Sequence, residues 1–161
     1  MNRTGLLLLA SLAMLAGCCG LPSERTESRN IDVIRKVFSE VWSKGNVDLI
    51  DELYARDYIG HFPGETFHGL EGIRSHVTAH RTAFPDWTEE IEDIIADRDT
   101  VAVRFSSRGT NLGKFFDSPP TEKHVRITEA TIFKLEDGKI VEQWVYPDIL
   151  SLQSQLRSQQ P

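Results

Sequence analysis

The stretch from Val125 to Asp148 constrains the fold of this chain more than any other. Apolar and polar residues alternate on both sides of Asp137-Gly138, a dipeptide that accepts the positive φ of a tight turn, so two long paired strands with one covered face are expected. The turn leaves the register open. A two-residue turn sets Thr131 opposite Trp144; a three-residue loop with a glycine bulge sets Thr131 opposite Gln143 and Ala130 opposite Trp144.

Upstream, Ile31, Ile34, Phe38, Val41 and Trp42 recur at three- and four-residue steps from Asn30, which predicts a helix that Gly45 ends. Asn46 is placed to cap a second helix carrying Leu49, Ile50, Leu53 and Tyr54, and Asp57 to Phe62 reads as extended before Pro63-Gly64 breaks it. A third helix is expected over Leu70 to Phe84, stopped by Pro85-Asp86. Strands follow at Trp87 to Ala96 and Thr100 to Gly109 around the turn Asp97-Arg98-Asp99. After the hairpin, Pro147-Asp148 opens a short last helix. Helices followed by a run of strands make an α+β fold, a curved sheet with helices on one face and room for a conical cavity.

Ahead of this domain, Met1 to Gly17 reads as a secretory leader: Arg3 supplies the positive start, Leu6 to Leu15 is apolar but too short to span a bilayer, and small residues follow. It ends in Leu15-Ala16-Gly17-Cys18, which resembles the bacterial lipoprotein lipobox. That resemblance implies a signal peptide over 1–17, lipidation at Cys18, a tether over 18–29 and a domain over 30–158, anchored by lipid in the bacterial cell envelope without crossing the membrane. Cys19 stands where an aspartate would resemble an inner-membrane retention signal, so a host with two membranes is expected to place it on the outer one. Beyond Cys18 and Cys19 there is no cysteine, so the domain must rest on its hydrophobic core. The formal net charge of -6, which loses only Arg3 with the leader, and the lack of any basic run argue against nucleic acid as a partner.

Six ordered segments resemble the SnoaL-like polyketide cyclase family, also labelled ester cyclase: Val41 to Asn46, Ala83 to Trp87, Val101 to Arg104, Arg108 to Thr110, Pro119 to Thr121 and Asp137 to Trp144. The resemblance runs from about Ile31 to Leu156. It implies the cone fold of the nuclear-transport-factor-2-like superfamily, a mixed or antiparallel curved sheet packed on N-terminal helices, with a pocket in the cone and a homodimeric assembly. The founding cyclases close a polyketide ester by an intramolecular aldol step, which needs an acid/base residue beside the substrate. In the family an aspartate directly after the hairpin tryptophan works with a histidine on the facing strand. Here those positions are Val145 and Thr131, and the family's Gly-Thr-His is Gly109-Thr110-Asn111.

His61, on the first extended segment, matches a position where the family often has a pocket histidine and is the leading acid/base candidate. The bland reading is a solvated histidine at a strand end. Glu129 shares a strand face with Thr131, and the register decides whether it enters the cone, where desolvation would suit a base, or faces solvent. Asp148 is placed to cap the last helix, with catalysis as the lesser reading. Arg104 interrupts an apolar strand, either to bind a substrate oxygen or to pair with a sheet carboxylate. Trp42, Tyr58, Phe84, Asn111, Thr131 and Val145 complete the expected ligand-binding set. His80, on the apolar face of the third helix, reads as a packed, satisfied core residue, and His68, His76 and His124 as loop or surface residues. No metal-ligand spacing and no glycine-rich phosphate loop occur, so neither a metal nor a nucleotide cofactor is expected.

These residues suggest a pocket for a small hydrophobic molecule with cofactor-free cyclisation, isomerisation or hydration. The alternatives are a non-catalytic binding lipoprotein and a dimeric envelope scaffold.

Overall fold

The computed structural model describes residues 22–116 and 118–157, so the leader and Cys18 lie outside the described residues. The first helix, α1 (Pro22–Lys36), begins at Pro22 and not at Asn30, taking in most of the segment expected to be a tether. Proline is favourable in a first helical turn, where its missing N–H has no intrahelical acceptor in any case. Glu27 accepts the N–H of Arg98 at 3.2 Å, and Asn30 donates to the Arg98 carbonyl at 3.0 Å. This segment therefore belongs to the folded body.

α1 passes into a wider π-helical turn, Val37–Trp42, in which the Ser43 N–H reaches back to the Phe38 carbonyl at 3.1 Å. Such turns re-aim the residues that follow them; here Phe38 and Trp42 reach the cavity described below. Gly45, at φ 74°, ends the helical run. A 3₁₀ turn (Val47–Leu49) and α2 (Ile50–Leu53) lead into β1 (Tyr54–Phe62), though Asn46 makes no side-chain cap. The chain turns back at Pro63-Gly64 into a short strand that the sequence reading missed, β2 (Glu65–His68), and then enters α3 (Gly69–Ala83). The remaining elements are β3 (Thr88–Asp97), β4 (Thr100–Thr110), β5 (His124–Glu136), β6 (Lys139–Pro147) and α4 (Ile149–Leu156).

The six strands form one mixed sheet in the order β2-β1-β6-β5-β4-β3, antiparallel except where β1 lies parallel to β6. This is the α+β class expected. At the β5–β6 turn Asp137 and Gly138 both have positive φ, 50° and 79°, the signature of a two-residue type I′ turn. Glu136 pairs with Lys139 and Leu135 with Ile140, but the register then shifts so that Lys134 meets Glu142. The irregularity at Val141 sets Thr131 opposite Val145, which corrects both registers considered from sequence.

The inner sheet face packs on the helices in two clusters. The larger joins Ile34, Val37 and Val41 of the first helical run to Val101, Val103 and Phe133 of the sheet. The smaller gathers Phe84, Trp87, Val125, Ile127, Leu152 and Leu156. Between them the walls do not close.

Candidate functional site

A cavity of about 120 Å³ opens between the two clusters. Phe38, Trp42, Phe105 and Phe133 reach it from the larger cluster, and Trp87, Ile127 and Leu152 from the smaller. Its wall is mainly aromatic. Glu89, Glu129 and the exposed Glu65 also reach it, and among the described residues no lysine or arginine does.

Strand pairing explains how two carboxyls come together there. Glu89 on β3 stands directly opposite Ser107 on β4, and Ser107 reaches diagonally to Glu129 on β5, donating its hydroxyl to Oε1 at 2.5 Å. Trp87 donates its indole N–H to Glu89 Oε1 at 3.2 Å, and the Glu89 backbone N–H is held by Ser43 Oγ at 3.0 Å. Both side chains keep some accessible surface through the cavity but are surrounded by protein. Burial pushes the Glu129 carboxyl up to about 7, against the opposing effect of the Ser107 hydrogen bond. Burial also holds Glu89 well above the ordinary carboxylate range, reinforced by the neighbouring Glu129 charge and partly offset by the Trp87 indole. Glu89 is thus biased towards the carboxylic acid, while Glu129, at about 7, exchanges its proton near neutral pH.

Two histidines one turn apart on α3 form another part of the wall. His76 lies 4.3 Å, ring to ring, from both Phe62 and Phe67, and His80 lies 4.5 Å from Trp87 and 5.3 Å from Phe84. Burial lowers His76 to about 4 and His80 to about 3, the latter also through His76 and Arg81, so both rings are neutral near pH 7. The sequence reading of His76 as a loop or surface residue is corrected, because β2 brings Phe67 over it. His80 is packed as expected but not satisfied: its Nε2 has no hydrogen-bond partner among the described residues.

Of the residues singled out from sequence, Trp42, Glu129, Thr131 and Val145 line the cavity. Tyr58 stands behind it, donating to Gln143 Oε1 at 3.0 Å; Gln143 donates to Thr131 Oγ1 at 3.4 Å, and Thr131 donates to the Trp144 carbonyl at 2.9 Å. Phe84 is buried in the smaller cluster. Asn111 pins its loop, with Nδ2 on the Gly113 carbonyl at 2.8 Å and Oδ1 accepting the Thr121 N–H at 2.9 Å. Asp148 caps α4 by accepting the Ser151 N–H at 3.0 Å. Arg104 lies exposed on the outer sheet face, paired with Asp93 and Glu92.

His61 does not enter the cavity. It lies on the outer sheet face, bonded to Glu142 Oε1 at 2.9 Å and stacked on Trp144 at a ring separation of 5.4 Å. Its candidacy rested on following Tyr58 along the extended segment and on matching a position where the family often has a pocket histidine, but here Tyr58 and His61 lie on opposite faces of β1. Glu89 and His76 were missed. The alternation Trp87, Glu89, Ile91 carried the signal for Glu89, and the four-residue step from His80 that for His76.

A family model described as SnoaL-like polyketide cyclase matches residues 32–156. A SnoaL-like polyketide cyclase from Jannaschia sp. CCS1 shares the fold at 23% identity with a TM-score of 0.80, over 88% of this chain and 100% of that one. A candidate polyketide cyclase from Acidithiobacillus ferrooxidans is 28% identical with a TM-score of 0.73, over 80% and 94%. IdmH of Streptomyces antibioticus, described in the same terms, is 29% identical with a TM-score of 0.69, over 79% and 97%. A search of curated proteins finds no match.

Proposed function

The chain belongs to the SnoaL-like polyketide cyclase family, and on that footing we propose that its cavity binds a small hydrophobic molecule and moves a proton on it, with Glu129 as the base. The observation that carries this reading is a carboxyl fixed through one oxygen by Ser107 inside a mainly aromatic and aliphatic cavity. A desolvated carboxylate is a stronger base than one in water, and a group that titrates near the working pH transfers protons efficiently. The reaction class is cofactor-free cyclisation, isomerisation or hydration beside a carbonyl. A volume of about 120 Å³ open at one end suits one ring with further groups of the guest lying at the mouth, since a closed cavity of about 150 Å³ holds benzene.

The direct test is the ring opening of 5-nitrobenzisoxazole, a reaction begun by removal of one carbon-bound proton. The wild type is expected to accelerate it with a rate that rises through about pH 7, and Glu129→Gln to lose about 10²-fold or more, the low end of what a positioned base supplies. Equal rates in the two proteins would exclude Glu129 as the base.

A second reading, capture of a ligand without turnover, is favoured by Thr131 and Val145, which put no titratable group where the family's aspartate and histidine are expected. Native mass spectrometry of a form beginning at Ser23, made in a bacterial envelope, reads retained small molecules and oligomeric mass together. Retained ligand with no proton transfer to any probe would select this reading.

We further propose a lipid anchor at Cys18, a bacterial-envelope location and a homodimer joined through the outer sheet face. A row crosses that face in direct register, Ile95, Ala102, Ile132, Trp144 and His61, in which Ile95 and Ile132 are exposed, 69% and 39% accessible, and the other three half-buried. Substituting Ile132→Lys should yield a monomer by light scattering; an unchanged dimer would place the contact elsewhere. Loss of lipid label on Cys18→Ser would support the anchor.

A further inference from the structure

We propose that Glu89 is the acid that works against Glu129, and that the pair selects an uncharged carbonyl compound about one ring in size. This rests on the reading of Glu129 as base. The two carboxyls flank Ser107, Glu89 by direct cross-strand pairing and Glu129 through the serine hydroxyl. Each uses Oε1 for its protein partner, Trp87 for one and Ser107 for the other, and Oε2 of each has none among the described residues.

With no lysine or arginine among the described residues of the wall, a single negative charge is the most this pair can carry without large cost. The environments differ: burial and the Glu129 charge both favour the protonated form of Glu89, whereas the Ser107 hydroxyl donates to Glu129 and favours its carboxylate. The same electrostatics select the substrate. A substrate carboxylate would bring a second uncompensated charge into the aromatic cavity, whereas a ketone or ester brings none.

The proton transfers balance without any co-reactant. Ionised Glu129 removes a proton from the carbon beside the carbonyl, and that C–H electron pair becomes the enol double bond. The carbonyl π pair takes the Glu89 proton, leaving a neutral enol, protonated Glu129 and ionised Glu89. When Glu129 returns its proton to a different carbon and the enol hydroxyl returns its own to Glu89, the net change is an isomerisation. The Glu89–Glu129 pair and the guest between them carry one negative charge throughout, so no step requires a new charge to be buried.

Two probes separate the roles. Conversion of cyclohex-3-en-1-one to cyclohex-2-en-1-one needs both base and acid, while the opening of 5-nitrobenzisoxazole needs the base and releases a stabilised phenolate. Glu89→Gln is expected to lower kcat for the ketone by about 10²-fold or more, as when a donor to a developing oxyanion is lost, and to lower benzisoxazole opening at least about tenfold less than that. Equal effects on both probes, or on neither, overturn the acid role. A wild type that opens the benzisoxazole but does not isomerise the ketone overturns it too, and one that does neither overturns the base reading beneath it. Should Glu89→Gln not fold, the unaltered protein decides: a ketone rate that rises with pH and falls again as a second group ionises supports the pair, and one that rises and stays level to pH 10 rejects it.

Discussion

Thr131 stands directly opposite Val145 across the β5–β6 pair, and both side chains reach the cavity. Neither titrates, so proton transfer should be insensitive to this pair even though it sits at the centre of the wall. Thr131→Val removes the hydroxyl that donates to the Trp144 carbonyl and should cost about 1 kcal/mol in urea unfolding. The rate of benzisoxazole opening is expected to stay within about threefold, because this change leaves Glu129 and Ser107 in place. A loss as large as that of Glu129→Gln would return this pair to the chemistry.

Glu129 should cost the protein stability at neutral pH. Its folded-state value of about 7 lies above the ordinary 4.5. Below pH 4.5 both states hold the proton; between 4.5 and 7 the unfolded chain releases it first, so stability falls with rising pH and the deficit levels off above 7. Glu129→Gln removes that penalty. Its advantage over wild type should be small at pH 4 and reach on the order of 2–3 kcal/mol at pH 8, because a tenfold difference in proton affinity between folded and unfolded chain is worth about 1.4 kcal/mol. Urea midpoints at the two pH values measure it, and a constant difference would show that the carboxyl is not desolvated.

His80 acts with the opposite sign. Its folded-state value of about 3 lies below the ordinary 6.5, so as pH falls below 6.5 the unfolded chain takes up a proton that the folded protein refuses. The stability His80 allows above pH 6.5 is thus lost towards pH 3. In His80→Phe the ring remains but this proton uptake does not, and the acid limb of the stability profile should flatten by on the order of 3 kcal/mol by pH 4. Thermal melts from pH 4 to 7 read the slope. An unaltered slope would mean that His80 is charged in the folded protein.

His61→Ala should leave proton transfer unchanged. The side chain is 38% accessible and its ion-pair partner Glu142 32%, a setting in which such a pair contributes roughly 0–1 kcal/mol. Rate measurements on both probes check this, and a large loss would require the outer sheet face to communicate with the cavity.

Most of the framework was legible because it follows from periodicity. Strands β3 to β6, helices α3 and α4, and the Asp148 cap fell within a residue or two of their sequence positions. What was lost depended on single-residue events or long-range contacts. The irregularity at Val141 leaves no trace in the alternation around it, yet it sets which residue Thr131 meets. Strand β2 is only four residues long and exists through its pairing with β1. The start of α1 is polar, and its anchor is Arg98, far away in sequence. In the site, Glu129 was recognisable as a conditional candidate. Glu89 passed as an ordinary strand residue, because a glutamate on an inward face is outnumbered by those that face solvent.

The parallel pairing of β1 with β6 gives the molecule a polarity. Both strands run towards the end where Phe62, Pro63, Phe116 and Pro147 surround the opening, and Phe116 is 65% accessible there. The helix α1 begins at the other end, beside the turns at Arg98 and Gly138, about 30 Å away by the length of a nine-residue strand. Only three residues separate Cys18 from Pro22. Were Cys18 lipidated as proposed, the hairpin turns would lie towards the bilayer and the entrance away from it, so a guest would arrive from the aqueous side.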